Sequence, residues 1–365
     1  TELTMTRQLI AGTALVLIAG VAAQAQDAPI NITTYGGAFG AAVNEAFAKP
    51  FTAETGIQTT MVDNDNPPAT LKAQVEAGNI TSDVFDVEQS DVIRLCDEGL
   101  IEPIDPALLP AAADGTPATE DYLPQALHEC ATAIMVWSTV IAYNTEAFPD
   151  GAPTTAADFF DIQKFPGKRG IIKRPKYALE FALLGDGVPA DQVYEVLGTP
   201  EGVDRAFAKL DSIKDQVVWW EAGAQAPQLL ADKEVSMTLA YNGRIFDAIV
   251  EENRPFAFVW DGANLDMDYW VVPMGAPNKD TAMKFIAFAS DPARQADLSK
   301  YIAYGPPRQS ASASVGTYKD GTTEMAPYLP STPENAARAL VNDAGFWADH
   351  ETELRARFTA WLGSE

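Results

Sequence analysis

SMTLAYNGRIFDAIVEENRPFAFVWDGANLDMDYWVVP, residues 236–273, opens with an apolar-rich strand at 236–241. The strand runs through Asn242-Gly243 into a helix whose first turn carries Arg244. A helix that begins directly after a strand points free backbone N–H groups at whatever lies there, and an arginine in that turn strengthens the pull on an anion. Further along come Asp266, Asp268, Tyr269 and Trp270, an acidic and aromatic patch that suits a cation. The segment offers one grip for a carboxylate and one for an amine, and no nucleophile. It predicts a place that holds a small zwitterion.

The same strand-then-helix alternation extends along the chain. Strands are expected at 30–35, 57–62, 84–87, 136–143, 171–172 and 217–220. A helix follows Gly36-Gly37, with Val43, Phe47 and Phe51 at four-residue spacing; Pro50 is expected to kink it and Gly56 to end it. Further helices fall at 71–77, stopped by Gly78, and after Ser90, read as a cap, as far as Gly99. Others are expected at 190–197, 201–212, 281–289 and 293–302, with a helical tail from Glu334. Strand 136–143 crosses into a second lobe, and a strand at 268–272 returns to the first.

This is an α/β chain of two lobes, each a mostly parallel sheet flanked by helices. The lobes divide as 26–135 with 269–310, and 136–268; residues 311–365 form a helical segment across both. In open α/β sheets ligands sit beyond the carboxyl ends of strands. The turns at Tyr35-Gly36-Gly37-Ala38-Phe39 and Tyr241-Asn242-Gly243-Arg244 should therefore face each other across a cleft.

At the N-terminus, Met5-Thr6-Arg7 starts a short basic stretch, 9–21 is apolar, and Ala23-Gln24-Ala25 carries small residues where a signal peptidase reads them. Residues 1–25 are therefore expected to be a cleaved secretory signal, with an uncleaved anchor as the competing reading. The remaining length suits two domains. A net charge of −26 excludes nucleic acid, whose binding needs clustered Lys and Arg. The acidity mildly favours cationic solutes, or simply suits a saline habitat. Cys96 and Cys130 are the two cysteines. In an oxidising compartment they read as a disulfide, with two separate buried thiols as the alternative.

Catalytic and metal patterns are poor. The two histidines, His128 and His350, have no partner at metal-ligand spacing, and no phosphate-loop, nucleophile-elbow or His-Glu-x-x-His motif occurs. No cofactor, metal or enzymatic activity is expected.

TTYGGAF at the first strand, FTAETGI closing the first helix, VWSTVIAYN at the crossover, AYNGR, DMDYWVVP and the FIAFASDP helix occur in an order and spacing that resemble extracytoplasmic solute-binding proteins of ABC importers. The similar subfamily is typified by spermidine/putrescine-binding proteins and includes binders of amino acids such as 4-aminobutanoate. The resemblance implies a two-lobed type II periplasmic binding protein that closes on a solute and delivers it to a membrane permease, and a monomer is expected. It places Tyr241 against the ligand chain and Asp268 on the amine. Two departures bear on the ligand. Arg244 stands where polyamine binders have a small polar residue, and Lys173-Arg174-Pro175-Lys176-Tyr177 is basic and aromatic where they are acidic. A second ammonium beside Arg244 would lack a counter-charge, at a cost of several kcal/mol. The expected ligand is thus an ω-amino acid such as 4-aminobutanoate, with a polyamine as the alternative and a ferric ion or a hydrolase substrate behind it.

The candidate contacts each have a second reading. Arg244 either grips a carboxylate or pairs with Asp247 or Glu251. Asp268 either holds an amine or pairs with Arg244. Asp266 either joins it or serves a turn after Asn264. Tyr35, Phe39, Trp137, Trp220, Tyr241 and Trp270 are either a cation-attracting wall or core, and Tyr177 is a further candidate contact. Strand alternation allows only one of Trp219 and Trp220 to reach the cleft. Gly36 and Gly37 either let backbone approach the solute or only make the turn. Glu88 and Gln89, just after the strand at 84–87, are placed on the cleft floor.

Overall fold

A computed structural model describes residues 27–363; the expected signal segment lies outside the described residues. The strands are β1 (Ile30–Thr34), β2 (Thr59–Asp63), β3 (Val84–Glu88), β4 (Leu127–His128), β5 (Ala131–Asn144), β6 (Arg169–Ile172), β7 (Val217–Trp220), β8 (Met237–Tyr241), β9 (Phe256–Val271) and β10 (Leu340–Val341). They hydrogen-bond in the order β2-β1-β3-β9-β5-β8-β6-β7, with β4 on β5 and β10 on β9. At one end β1 runs parallel to β2 and β3; at the other β6 runs parallel to β7 and β8. β9 is antiparallel to β3 and to β5, and β5 to β8. The α/β, two-lobed architecture follows: two parallel blocks joined through a long antiparallel pair.

Burial explains that pair. All fourteen residues of β5 are buried, as expected for a strand covered on both faces. At about 3.3 Å per residue, β5 and β9 each span well beyond one block. Their register jumps between Thr139↔Asn264 and Ile141↔Val259, so residues 260–263 of β9 loop out. Gly262 takes a left-handed φ of 72° inside this bulge. The expected strand at 268–272 is thus the end of a sixteen-residue strand. The Asp-Gly-Ala-Asn run that looks like a turn is a bulge held by β5, and Asp266 lies in the strand rather than in a turn.

Other expectations shift locally. Helical structure runs from Gly37 to Thr55 through Pro50, with a π-type turn at Asn44–Ala48 just before it. That wider turn accommodates the amide hydrogen the proline lacks. Gly56 ends the run at φ 77°. Ser90 does not cap the next helix, Gln89–Asp97; Glu88 occupies the cap position. The helix expected at 293–302 is Pro292–Leu298, and the tail contains β10 before its long helix Ala344–Leu362. That helix packs on Gln89–Asp97 and on Pro175–Gly185, touching both blocks.

Cys96 and Cys130 form a disulfide with Cα atoms 6.0 Å apart. It ties the end of helix Gln89–Asp97 to the residue before β5. Closing a 34-residue separation stabilises the fold by about 3–4 kcal/mol in the chain-entropy model. Reduction, or a Cys96→Ser/Cys130→Ser double variant, should therefore lower the unfolding free energy by that amount in denaturant titration.

Candidate ligand-binding cleft

The two strand-to-helix turns that the sequence points to meet at one cavity of about 1220 Å³, bordered by Tyr35, Phe39, Trp137, Tyr241, Arg244 and Asp268. Arg244 stands at the start of helix Asn242–Val250 and reaches across to the first block. There its Nη2 donates to the carbonyl oxygens of Tyr35 and Gly36, both at 3.3 Å. Gly36 and Gly37 adopt φ of 64° and 61°. A Cβ on Gly37 would lie 2.5 Å from Arg244 Nη1. The glycine pair makes the turn and leaves the guanidinium its room. No pairing of Arg244 with Asp247 or Glu251 occurs; Glu251 pairs with Lys319 at 3.1 Å.

The aromatic wall is built edge to face. Trp137 stands 5.0 Å from Tyr241 and 5.8 Å from Tyr177, centroid to centroid. Its indole Nε1 donates to Asp268 Oδ1 at 2.8 Å. Trp220 backs Tyr241 from 5.7 Å but is buried and does not border the cavity. Trp219, on the other face of β7, packs on Phe358 and Trp361 of the C-terminal helix, as alternation requires. Trp270 also lies away from the cavity. It is wedged between Phe47 and Phe285, because the helices of the first block cover that end of β9.

Behind the wall sits a buried ion network. Lys176 Nζ is 2.8 Å from both Glu88 Oε2 and Asp266 Oδ2, and Arg174 Nη2 is 2.8 Å from Glu88 Oε1. Tyr177 Oη donates to Asp266 Oδ2 at 2.8 Å. Tyr177 carries a left-handed φ of 71°, an arrangement costing about 1–3 kcal/mol that these bonds and complete burial hold in place. Burial opposes ionisation of Glu88, but Arg174 and Lys176 outweigh it and pull its pKa down to about 2. Asp266 and Tyr177 are therefore not exposed to a solute, and the Glu88 carboxylate, though at the cavity edge, is already neutralised.

Asp268 is different. Burial, then the charges of Asp86, Glu88 and Asp266, push its pKa well above the usual carboxylate range, and its hydrogen bond comes from a neutral indole. Asp86, an acid inside the otherwise apolar Val84-Phe85-Asp86-Val87, joins the site beyond the residues expected from the sequence. It is fully buried, and burial pushes its pKa up to about 8. Arg174 joins the site from the basic run at 173–176. Tyr304, which packs edge-on to Phe39 at 5.8 Å, carries no sequence signal.

His128, Cys96 and Cys130 lie together, with ligand atoms within 4.8 Å of one another, but the two sulfurs are bonded to each other. His128 Nδ1 accepts from the Cys130 amide at 3.4 Å, a capping role.

Lys176→Met would leave buried Asp266 with no cation and Glu88 with Arg174 alone, and breaking such a buried pair typically costs about 3–5 kcal/mol. Glu88 has a depressed pKa, so its stabilising pairing is complete above its ordinary value and disappears as the pH falls through about 2. Without Lys176, Asp266 above all should protonate more readily, so the penalty should be larger at pH 8 than at pH 5. Denaturant titration of both proteins at the two pH values measures it.

Residues 46–327 match the model of the family described as bacterial extracellular solute-binding protein. A gamma-aminobutyric acid-binding protein of Pseudomonas aeruginosa is 46% identical over 340 residues, covering 93% of this chain and 92% of that protein. A periplasmic binding protein of A. tumefaciens B6, solved with glucopine, superposes with TM-score 0.83 at 32% identity, covering 92% of this chain and 99% of that one. A solved GABA receptor superposes with TM-score 0.78 at 33% identity, covering 92% and 98%. Spermidine/putrescine-binding periplasmic proteins match at 24–25% identity. The chain belongs to the bacterial extracellular solute-binding protein family.

Proposed function

We propose that this protein captures a small ω-amino acid, 4-aminobutanoate or a close derivative, and delivers it to an ABC permease. One observation carries the reading. Arg244 faces the cavity with no carboxylate salt-bridge partner among the described residues, while Asp268 borders the same cavity with an indole donor and no cationic partner. A ligand with a carboxylate at one end and an ammonium at the other satisfies both. The 46%-identical gamma-aminobutyric acid-binding protein supports the same ligand class. Tyr35, Phe39, Trp137 and Tyr241 line the aliphatic chain between the two ends, and Gly36 and Gly37 shape the anion end.

The acidity of the cleft favours an amine, which keeps a polyamine in view. Of Glu88, Asp266 and Asp268, however, the first two are matched by Arg174 and Lys176. A diamine would bring its second ammonium against Arg244, uncompensated. The site holds no arrangement of base and nucleophile, and we assign a binding rather than an enzymatic role. We place the mature protein in the periplasm as a monomer after removal of residues 1–25. Among the described residues no helix is long and apolar enough to cross a membrane. We assign 26–135 with 269–310 to one lobe and 136–268 to the other, with 311–365 packed across both; closure of the lobes excludes water and strengthens both ionic contacts.

Calorimetric titration of ligand-stripped protein with 4-aminobutanoate and with putrescine separates the two readings. Heat from the amino acid alone supports the proposal; heat from putrescine alone overturns it. Arg244→Ala should weaken the amino acid by about 2–4 kcal/mol, roughly 30- to 1000-fold, with the fold intact. An unchanged affinity removes Arg244 from the site. Asp268→Asn should weaken 4-aminobutanoate far more than an analogue lacking the amine, whereas equal loss for both makes Asp268 structural.

A further inference from the structure

We propose that Asp86 and Asp268 share one proton in the unliganded protein and release it when the ligand's ammonium docks, so that solute capture is proton-linked near neutral pH. The inference rests on the assignment of the ammonium to Asp268 and makes Asp86 a positioning residue for that contact.

The geometry begins with strand pairing. Glu88 lies opposite Asp268, and Asp86 opposite Trp270, on the antiparallel β3–β9 pair. Opposed residues share a face, and so do residues two apart along a strand, so Asp86 and Asp268 are diagonal neighbours on one face. Asp86 is 0% exposed and Asp268 is 4% exposed. Two ionised carboxylates offer acceptors only, and neither Asp86 oxygen has a side-chain donor among the described residues; the Tyr35 amide and the Asp268 carboxyl are its polar neighbours. A single proton converts the contact between them into a hydrogen bond, which is the state a buried, uncompensated pair of acids adopts.

The groups around the pair do not relieve it. Glu88 is ionised and occupied by Arg174 and Lys176; Asp266 is occupied by Lys176 and Tyr177. Arg244 lies close enough to favour ionisation of Asp86, but its Nη2 donates to backbone carbonyls. Tyr35, Tyr241, Tyr269 and Tyr304, which also face the acids, have pKa values held above that of a free phenol, so they stay neutral. An ammonium arriving at Asp268 supplies the missing positive charge. The proton then leaves to solvent, and both carboxyls are ionised against one cation and the Trp137 N–H. Because binding expels a proton, affinity rises with pH until the unliganded pair is itself ionised. Asp91 also titrates nearby, at about 6, raised mainly by burial; its contribution must be separated from that of the pair.

Titrating 4-aminobutanoate into the mature protein at pH 7, in phosphate and in Tris, reports proton release through the buffers' different ionisation heats. The wild type should release most of one proton, and its affinity should rise by up to tenfold per pH unit between pH 6 and 8. Asp86→Asn should release little or none and show a flattened pH profile. Infrared difference spectra of the wild type should lose a protonated-carboxyl C=O band on ligand addition, a readout that needs no variant. Heat without proton release in the wild type overturns this inference while leaving the ligand assignment standing. Equal release from folded Asp86→Asn overturns it too, and assigns the proton to Asp91 or another group. No heat from the wild type rejects the ligand assignment, and this inference with it.

Discussion

The ammonium of Lys176, enclosed between Glu88 and Asp266, sets the terms for the rest of the cleft. A charge removed from water costs several kcal/mol unless its partners are close and well placed. Here one lysine meets two carboxylates at 2.8 Å each, and Arg174 makes up the balance at Glu88. That arrangement joins the start of helix Pro175–Gly185 to β3 and to β9 in one electrostatic knot. It also decides which groups are left for a solute. Of the acids clustered there, the network consumes two and leaves the Asp86–Asp268 pair unmatched.

The backbone frame complements the knot. β5 and β9 run through both blocks and are paired along most of their length, so motion of one block relative to the other must bend a shared ribbon. The bulge at 260–263 interrupts that pairing near the point where β5 takes β8 as its other neighbour. The side chains that grip across the cleft, Arg244 and Arg174, belong to elements on the far side of this ribbon from Tyr35 and Glu88. Arg244 and Arg174 thus cross the cleft with long polar arms, whereas contacts along the ribbon are backbone hydrogen bonds. Such a division suits a site that opens and closes about a stiff spine.

Much of this was legible in the sequence, and the reasons are local. The turns at Tyr35 and Tyr241 announce themselves because a strand, a glycine and a helix follow without a spacer, and both border the cavity. Strand 217–220 and the split of Trp219 from Trp220 follow from period-two alternation. The first half of β9 was not legible: Gly262, Asn264 and the aspartates around them look like turn residues, and only pairing with β5 makes them a strand. Asp266, Tyr177, Trp220 and Trp270 have the chemistry of ligand contacts, but their burial away from the cavity is a tertiary property that no single segment encodes. Asp86 stands out in the sequence only as one acid in an apolar strand, and what it does depends on Asp268, far away in sequence.

Trp137 gives the cleft a further property. Its indole N–H points at Asp268, and its ring is flanked edge-on by Tyr177 and Tyr241. Indole emission responds to the charge and hydrogen bonding at its nitrogen. Under the proposed binding mode, an ammonium at Asp268 changes both without any label being attached. That binding mode would make Trp137, set in the buried strand β5 rather than on a loop, an optical gauge of occupancy.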